Sequence, residues 1–226
     1  MVDLIQGLAA ETVRANLERV WGRIADAGRD PAEVEILAAV KYLPVQSLPA
    51  LAAGGVRVVG ENRAQQLVAK SQALPGVFTW DFIGALQSRK VRDLVGRVRY
   101  IHSVATDSAL AQLARHGTSQ TEVLVEVNVA GEAGKSGVAP DGLAAFLARC
   151  PVRVVGLMTM PPYAADPELS RPYFAALRRL AVEHGLEHLS MGTSQDYPVA
   201  VQEGATIIRL GSTLYRTPER APRDAP

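Results

Sequence analysis

The chain has 226 residues, 48% of them hydrophobic, with 24 lysines and arginines against 23 aspartates and glutamates. A net charge of +1, without a basic block interleaved with aromatics, argues against nucleic acid or a polyanionic surface as partner. The stretch from Met1 to Thr12 has no basic n-region and no apolar run long enough for a signal peptide or a membrane span, so a cytoplasmic protein with no membrane partner is expected.

Val13, Leu17, Val20, Trp21 and Ile24 recur at helical spacing, and Gly28 followed by Pro31 supplies a cap and a stop, so a helix precedes the first strand. The run Ile36-Leu37-Ala38-Ala39-Val40, bounded by Glu35 and Pro44, reads as a strand buried on both faces. It delivers Lys41 to the point where that strand leaves the core. An amine there is expected to be partly desolvated, which favours the neutral form that attacks an aldehyde. The plainer alternative is a lysine whose stem covers apolar surface while its head reaches water.

Further apolar or β-branched runs fall at 56–59, 80–83, 98–101, 123–129, 152–157, 187–190 and 206–210, most of them separated by segments able to form a helix. This alternation predicts a parallel sheet closed into a (β/α)8 TIM barrel with an extra N-terminal helix, occupying 1–216 as one domain. An open doubly wound sheet is the rival, but Lys41-Tyr42-Leu43-Pro44 stands where its glycine-rich turn would be. Val-Arg-Val-Val-Gly occurs at 56–60 and again at 152–156, which is read as shared strand composition rather than duplication.

Gly131-Glu132-Ala133-Gly134-Lys135-Ser136 is similar to the end of a Walker A loop, yet Val129 replaces its first glycine, and Gly137 and Pro140 interrupt the helix that should follow. A polar loop at the barrel mouth is expected instead, with Lys135 solvated or paired with a carboxylate. Cys150 is the single cysteine and is expected as a packed small side chain; the histidines His102, His116, His184 and His188 show no spacing for a metal site with it.

Ser190-Met191-Gly192-Thr193-Ser194 follows the seventh strand and Arg209-Leu210-Gly211-Ser212-Thr213 the eighth. Each joins a glycine to hydroxyl side chains at the start of a helix, a pattern that suits an anion, and these two loops are the usual phosphate cradle of such barrels. Ordinary helix capping is the alternative for each taken alone. The tail 217–226, with three prolines and no apolar periodicity, is expected to be disordered.

Taken together, Leu37-Ala38-Ala39-Val40-Lys41, Gly60-Glu61-Asn62 with Gln65, Phe82-Ile83-Gly84-Ala85-Leu86-Gln87-Ser88-Arg89-Lys90, His102-Ser103, Asn128 with Lys135-Ser136-Gly137, Gly156-Leu157-Met158-Thr159-Met160, Met191-Gly192-Thr193-Ser194-Gln195-Asp196 and Arg209-Leu210-Gly211-Ser212 resemble the pyridoxal phosphate homeostasis protein family. These are single-barrel relatives of the alanine racemase N-terminal domain, with the fold type III barrel that binds pyridoxal 5'-phosphate (PLP). The resemblance implies that Lys41 forms the internal aldimine with PLP. It also implies that Ser194, Gly211 and Ser212 surround the phosphate, with Met191, Gly192 and Thr193 in the same loop. Arg209 would face the pyridine nitrogen, where its charge keeps that nitrogen unprotonated and weakens the ring as an electron sink. Asn62 would lie near the cofactor or stabilise its own turn. The chain departs from the family at Asp81, where a histidine is usual, at Val40, where serine or threonine is usual, and at Arg216, where glycine often stands. These departures are expected to affect rim contacts.

The resemblance implies a carrier without strong catalytic activity, which holds PLP as a Schiff base, limits the free aldehyde and passes it to PLP-dependent apo-enzymes. A monomer is expected, because no residues remain for the second domain with which racemases dimerise. Two alternatives are a racemase, with Tyr42, Tyr163 or Tyr197 as a second base, and a cofactor-free phosphate-binding barrel enzyme with Glu61 as its acid.

Overall fold

The computed structural model describes Ile5 and residues 7–216. Eight parallel strands close into a barrel in the order of the chain: β1 (Glu35–Ala39), β2 (Val58–Glu61), β3 (Thr79–Phe82), β4 (Tyr100–Val104), β5 (Glu122–Glu126), β6 (Arg153–Met158), β7 (His188–Thr193) and β8 (Ile207–Leu210), with β8 paired to β1. Among the described residues the α-helices are α1 (Ala10–Asp26), α2 (Leu48–Ala53), α3 (Ala64–Ala73), α4 (Val91–Leu94), α5 (Asp107–His116), α6 (Leu143–Ala148), α7 (Arg171–Glu183), α8 (Tyr197–Gln202) and α9 (Ser212–Tyr215). The tail expected to be disordered, 217–226, lies outside the described residues. Among the described residues no helix is long and apolar enough to cross a membrane.

Helix α1 is the extra N-terminal element. Val13, Leu17, Val20 and Ile24 are buried, each burial worth about 1.5–3 kcal/mol, and Gly28 at φ +82° turns the chain away. Trp21, expected on the same face, is 41% exposed. It lies on the flank of that stripe. Asn16 takes the buried place, and its Nδ2 donates to the carbonyls of Leu214 at 2.9 Å and Arg216 at 3.0 Å, tying α1 to α9.

Two cores result from the closed sheet. One lies between the strands and the helices, with Ala38, Val59, Phe82 and Ile208 pointing outward into it. The other is the barrel interior, where Leu37, Val58 and Ile207 pack together opposite Leu124, Val155 and Met158. Two strands run further than hydrophobicity predicts. β2 starts at Val58 and continues through Gly60-Glu61, and β4 continues through His102-Ser103, because their polar side chains find partners inside the protein. Both copies of the Val-Arg-Val-Val-Gly repeat overlap strands, β2 and β6.

Candidate functional site

The C-terminal ends of the strands enclose a cavity of about 830 Å3. Its wall includes Lys41, Asn62, Thr193, Ser194, Arg209, Gly211 and Ser212, together with Tyr42 and Glu126. Met191 and Gly192, grouped with them from the sequence, are not part of this wall. Met191 is fully buried in the layer under the helices. Gly192, at φ +90°, shapes the turn, and a Cβ there would lie 2.6 Å from that of Ala200.

Lys41 follows β1 by one buried residue, Val40, and stands in an exposed turn with its Nζ 4.7 Å from the centre of the Tyr42 ring. The sequence suggested a desolvated amine; the fold instead ends β1 at Ala39 and points the lysine into the open mouth. Its position is set from below. Lys70, buried on α3, donates from Nζ to the Val40 carbonyl at 2.8 Å and to Glu61 Oε2 at 2.6 Å. The other Glu61 oxygen accepts from the backbone N–H groups of Asn62 at 2.8 Å and Arg63 at 3.3 Å. One buried ion pair therefore fixes the ends of both β1 and β2, and with them Lys41 and Asn62. Asn62 Oδ1 is shut off from solvent and has no hydrogen-bond partner among the described residues.

Arg209, inward on β8, donates from Nη1 to the Ser190 carbonyl and hydroxyl, both at 2.6 Å, and from Nη2 to the Thr159 carbonyl at 2.9 Å and to Met160 Sδ at 2.8 Å. Burial pulls its pKa down to about 10, against the opposing charges of Asp196 and Glu126. The guanidinium stays charged at neutral pH, as the sequence reading requires.

The two loops after β7 and β8 meet at Ser194, whose Oγ accepts from the backbone N–H of Gly211 at 3.2 Å and of Thr213 at 3.3 Å. Ser212 is the first residue of α9, but Ser194 does not itself begin a helix; α8 starts at Tyr197. Asp196 holds the loop by accepting from the Thr193 N–H at 2.8 Å, the Thr193 hydroxyl at 3.0 Å and the Ser170 hydroxyl at 3.0 Å. A Cβ on Gly211 would meet nothing nearer than the Ala39 carbonyl at 3.7 Å, so the protein alone does not demand glycine at this point of the wall.

Glu126, at the end of β5, accepts from the Ser136 hydroxyl at 2.9 Å, and burial raises its pKa against that bond and the charges of Arg209 and Lys135. Lys135 pairs with Glu132, whose backbone is held in turn by the Asn128 side chain. The Walker-like segment is thus a polar loop at the mouth. Among the family departures, Val40 is buried and Arg216 reaches the cavity wall. Asp81 is not a rim residue. It is fully buried inside the barrel, 3.1 Å from His102 and bonded to Arg99.

Sequence reasoning missed Lys70, Asp196 and the His102–Asp81 contact. The signal for Lys70 was its place on the buried stripe Ala64, Leu67, Lys70 of α3, where a charge needs a buried partner. For Asp196 it was the spacing from Thr193, three residues apart, which lets a carboxylate close a turn.

A barrel closed around a lysine, an arginine and two hydroxyl-bearing loops defines the class: the sequence profile of the alanine racemase N-terminal domain matches residues 11–218. The pyridoxal phosphate homeostasis protein of Aquifex aeolicus is 39% identical over 92% of this chain and 97% of its own length, and that of Pseudomonas aeruginosa is 37% identical over 90% and 95%. PipY of Synechococcus elongatus, solved with PLP bound, superposes with a TM-score of 0.78 at 31% identity, covering 90% of this chain and 100% of that one. The chain belongs to the pyridoxal phosphate homeostasis protein family.

Proposed function

We propose that this protein is a PLP carrier of the cytoplasm, a monomer that holds the cofactor through Lys41 and releases it to PLP-dependent apo-enzymes. The observation that carries the reading is the convergence on one cavity of the Lys41 amine, the Arg209 guanidinium and the Ser194–Gly211–Ser212 turns. When bound, PLP supplies an aldehyde that a primary amine can hold reversibly. The residues present fit it. Ser194 Oγ takes two backbone N–H bonds and has no acceptor for its own proton among the described residues, so that proton is available to a phosphate oxygen. Gly211 leaves room that no protein atom requires, and Asn62 keeps an unpaired buried acceptor beside the lysine's strand. Arg209 would stand against the pyridine nitrogen.

Glu61, the acid a cofactor-free barrel enzyme would need, is engaged by Lys70 and two backbone N–H groups, which counts against that alternative. Glu126 favours a second reading, weak racemisation, because a buried carboxyl with a raised pKa in the cavity is suited to proton transfer. Two measurements decide. Borohydride reduction of PLP-loaded protein followed by peptide mapping should place the adduct on Lys41, and a colourless protein that takes up no PLP overturns the reading. Incubation with single amino-acid enantiomers should give no optical inversion; inversion lost in Lys41→Ala would establish the racemase instead.

A further inference from the structure

The barrel interior carries a connected line of polar side chains that the cavity chemistry leaves unexplained. Glu35 opens β1 and Arg99 stands just ahead of β4, so both lie at the N-terminal mouth, where their side chains are 33% and 26% exposed. Arg99 donates from Nη1 to Glu35 at 2.8 Å, and from Nε and Nη2 to Asp81 at 3.1 and 2.6 Å. Asp81 Oδ2 is 3.1 Å from His102 Nε2, His102 Nδ1 is 2.9 Å from Ser190 Oγ, and Arg209 Nη1 is 2.6 Å from that same oxygen. Asp81, His102 and Ser190 have no exposed surface. The line begins at solvent on one face of the barrel and ends at the wall of the cavity on the other.

The hydrogen-bond roles along it follow from its ends. A guanidinium has no lone pair to offer, so Ser190 Oγ accepts from Arg209; the Asp81 carboxylate only accepts, so a neutral His102 spends its one N–H on Asp81 and takes the Ser190 proton at Nδ1. That nitrogen is then the acceptor, and Nε2 carries the ring proton towards the Asp81 carboxylate. The charges facing His102 agree. Burial lowers its pKa, with Arg209 and Arg99 adding to the effect and Asp81 opposing it, a direction that favours the neutral ring. Burial alone would raise the Asp81 pKa, but the hydrogen bonds from His102 and Arg99 outweigh it and hold the carboxyl below its usual value.

We propose that Asp81, steadied by Arg99 and Glu35, is a positioning residue for Arg209: by fixing the Nε2–H tautomer of His102 it commits the Ser190 hydroxyl proton to Nδ1, keeps the lone pairs of that oxygen turned to the guanidinium, and so sets the direction in which Arg209 meets the pyridine nitrogen of the cofactor. This rests on the PLP reading given above. In Asp81→Asn, a carbonyl oxygen kept by the Tyr100 N–H and Arg99 Nε turns the amide NH2 towards His102 and Arg99 Nη2; Nη2 keeps its bond to Glu35, and His102 takes the opposite tautomer.

The test joins ring-nitrogen NMR to binding. In the 15N spectrum of the PLP-free protein, His102 should be neutral with its proton on Nε2, and in Asp81→Asn the proton should move to Nδ1. The substitution should weaken PLP binding about tenfold, while an analogue with CH in place of the ring nitrogen should bind both proteins within about twofold. An Nδ1–H or doubly protonated His102 in the wild type overturns the proposal, and so do equal losses for the two ligands. If Asp81→Asn does not fold, Ser190→Ala interrupts the line beside Arg209 and carries the same differential expectation. A wild-type chain that takes up neither ligand overturns the cofactor reading and this proposal with it, whereas PLP binding with equal losses overturns the proposal alone.

Discussion

The Lys70 ammonium lies 2.8 Å from the carbonyl of Val40, the residue immediately before Lys41, so a buried lysine locates the one proposed to hold the cofactor. The same ammonium neutralises Glu61, and both side chains are almost wholly buried. Lys70→Met leaves the Glu61 carboxylate buried and unpaired and should cost about 3–5 kcal/mol of folding stability. Urea denaturation measures this; a loss below about 1 kcal/mol would show that the pair does not hold the strand ends.

Lys41 behaves in the opposite way. Its side chain is exposed, so Lys41→Ala should change stability by no more than about 0.5 kcal/mol while abolishing the borohydride-trapped adduct. Mass spectrometry of the reduced protein, run beside the same denaturation curve, separates the two effects.

Ser194→Ala removes the point on which the loops after β7 and β8 converge, the proposed seat of the phosphate. A lost hydrogen bond to a charged group is worth about 1.5–3 kcal/mol, so PLP affinity should fall roughly 10- to 100-fold. Pyridoxal, which lacks the phosphate, should bind variant and wild type within about threefold. Fluorescence titration with both ligands reads the difference, and an equal loss for both would remove Ser194 from the phosphate site.

Glu126 gives a pH dependence of known sign. Its pKa is raised in the folded protein above the ordinary 4.5, so the folded state holds its proton longer than the unfolded chain does. Stability contributed by the protonated form is complete below that ordinary value and is lost as pH rises through the raised one. Glu126→Gln should therefore gain on the wild type between acidic and neutral pH. Melting temperatures of the PLP-free proteins at pH 4 and pH 7 check this; a difference, variant minus wild type, that falls towards neutrality contradicts it.

Much of this was legible in the sequence, for a physical reason. Runs such as Ile36 to Val40 face apolar surroundings on both sides, so hydrophobicity alone marks them. Where the barrel interior turns polar, the signal fails: the ends of β2 and β4 were missed because Glu61, His102 and Ser103 are satisfied by partners distant in the chain. Asp81 was misjudged for the same reason. A buried acid cannot be told from a surface one until Arg99 and His102 are brought to it by closure of the sheet. The glycine and hydroxyl loops after β7 and β8 were readable because their chemistry is local, although Met191 faces the helices and not the cavity.

Asn16 clasps the carbonyls of Leu214 and Arg216, so the first described helix grips the last described one, and that last helix begins with a residue of the cavity wall. Fraying at the amino terminus should for this reason be felt by a ligand nearly two hundred residues away in sequence. Conversely, a tightly held phosphate should slow deuterium uptake along α1, a helix it never touches.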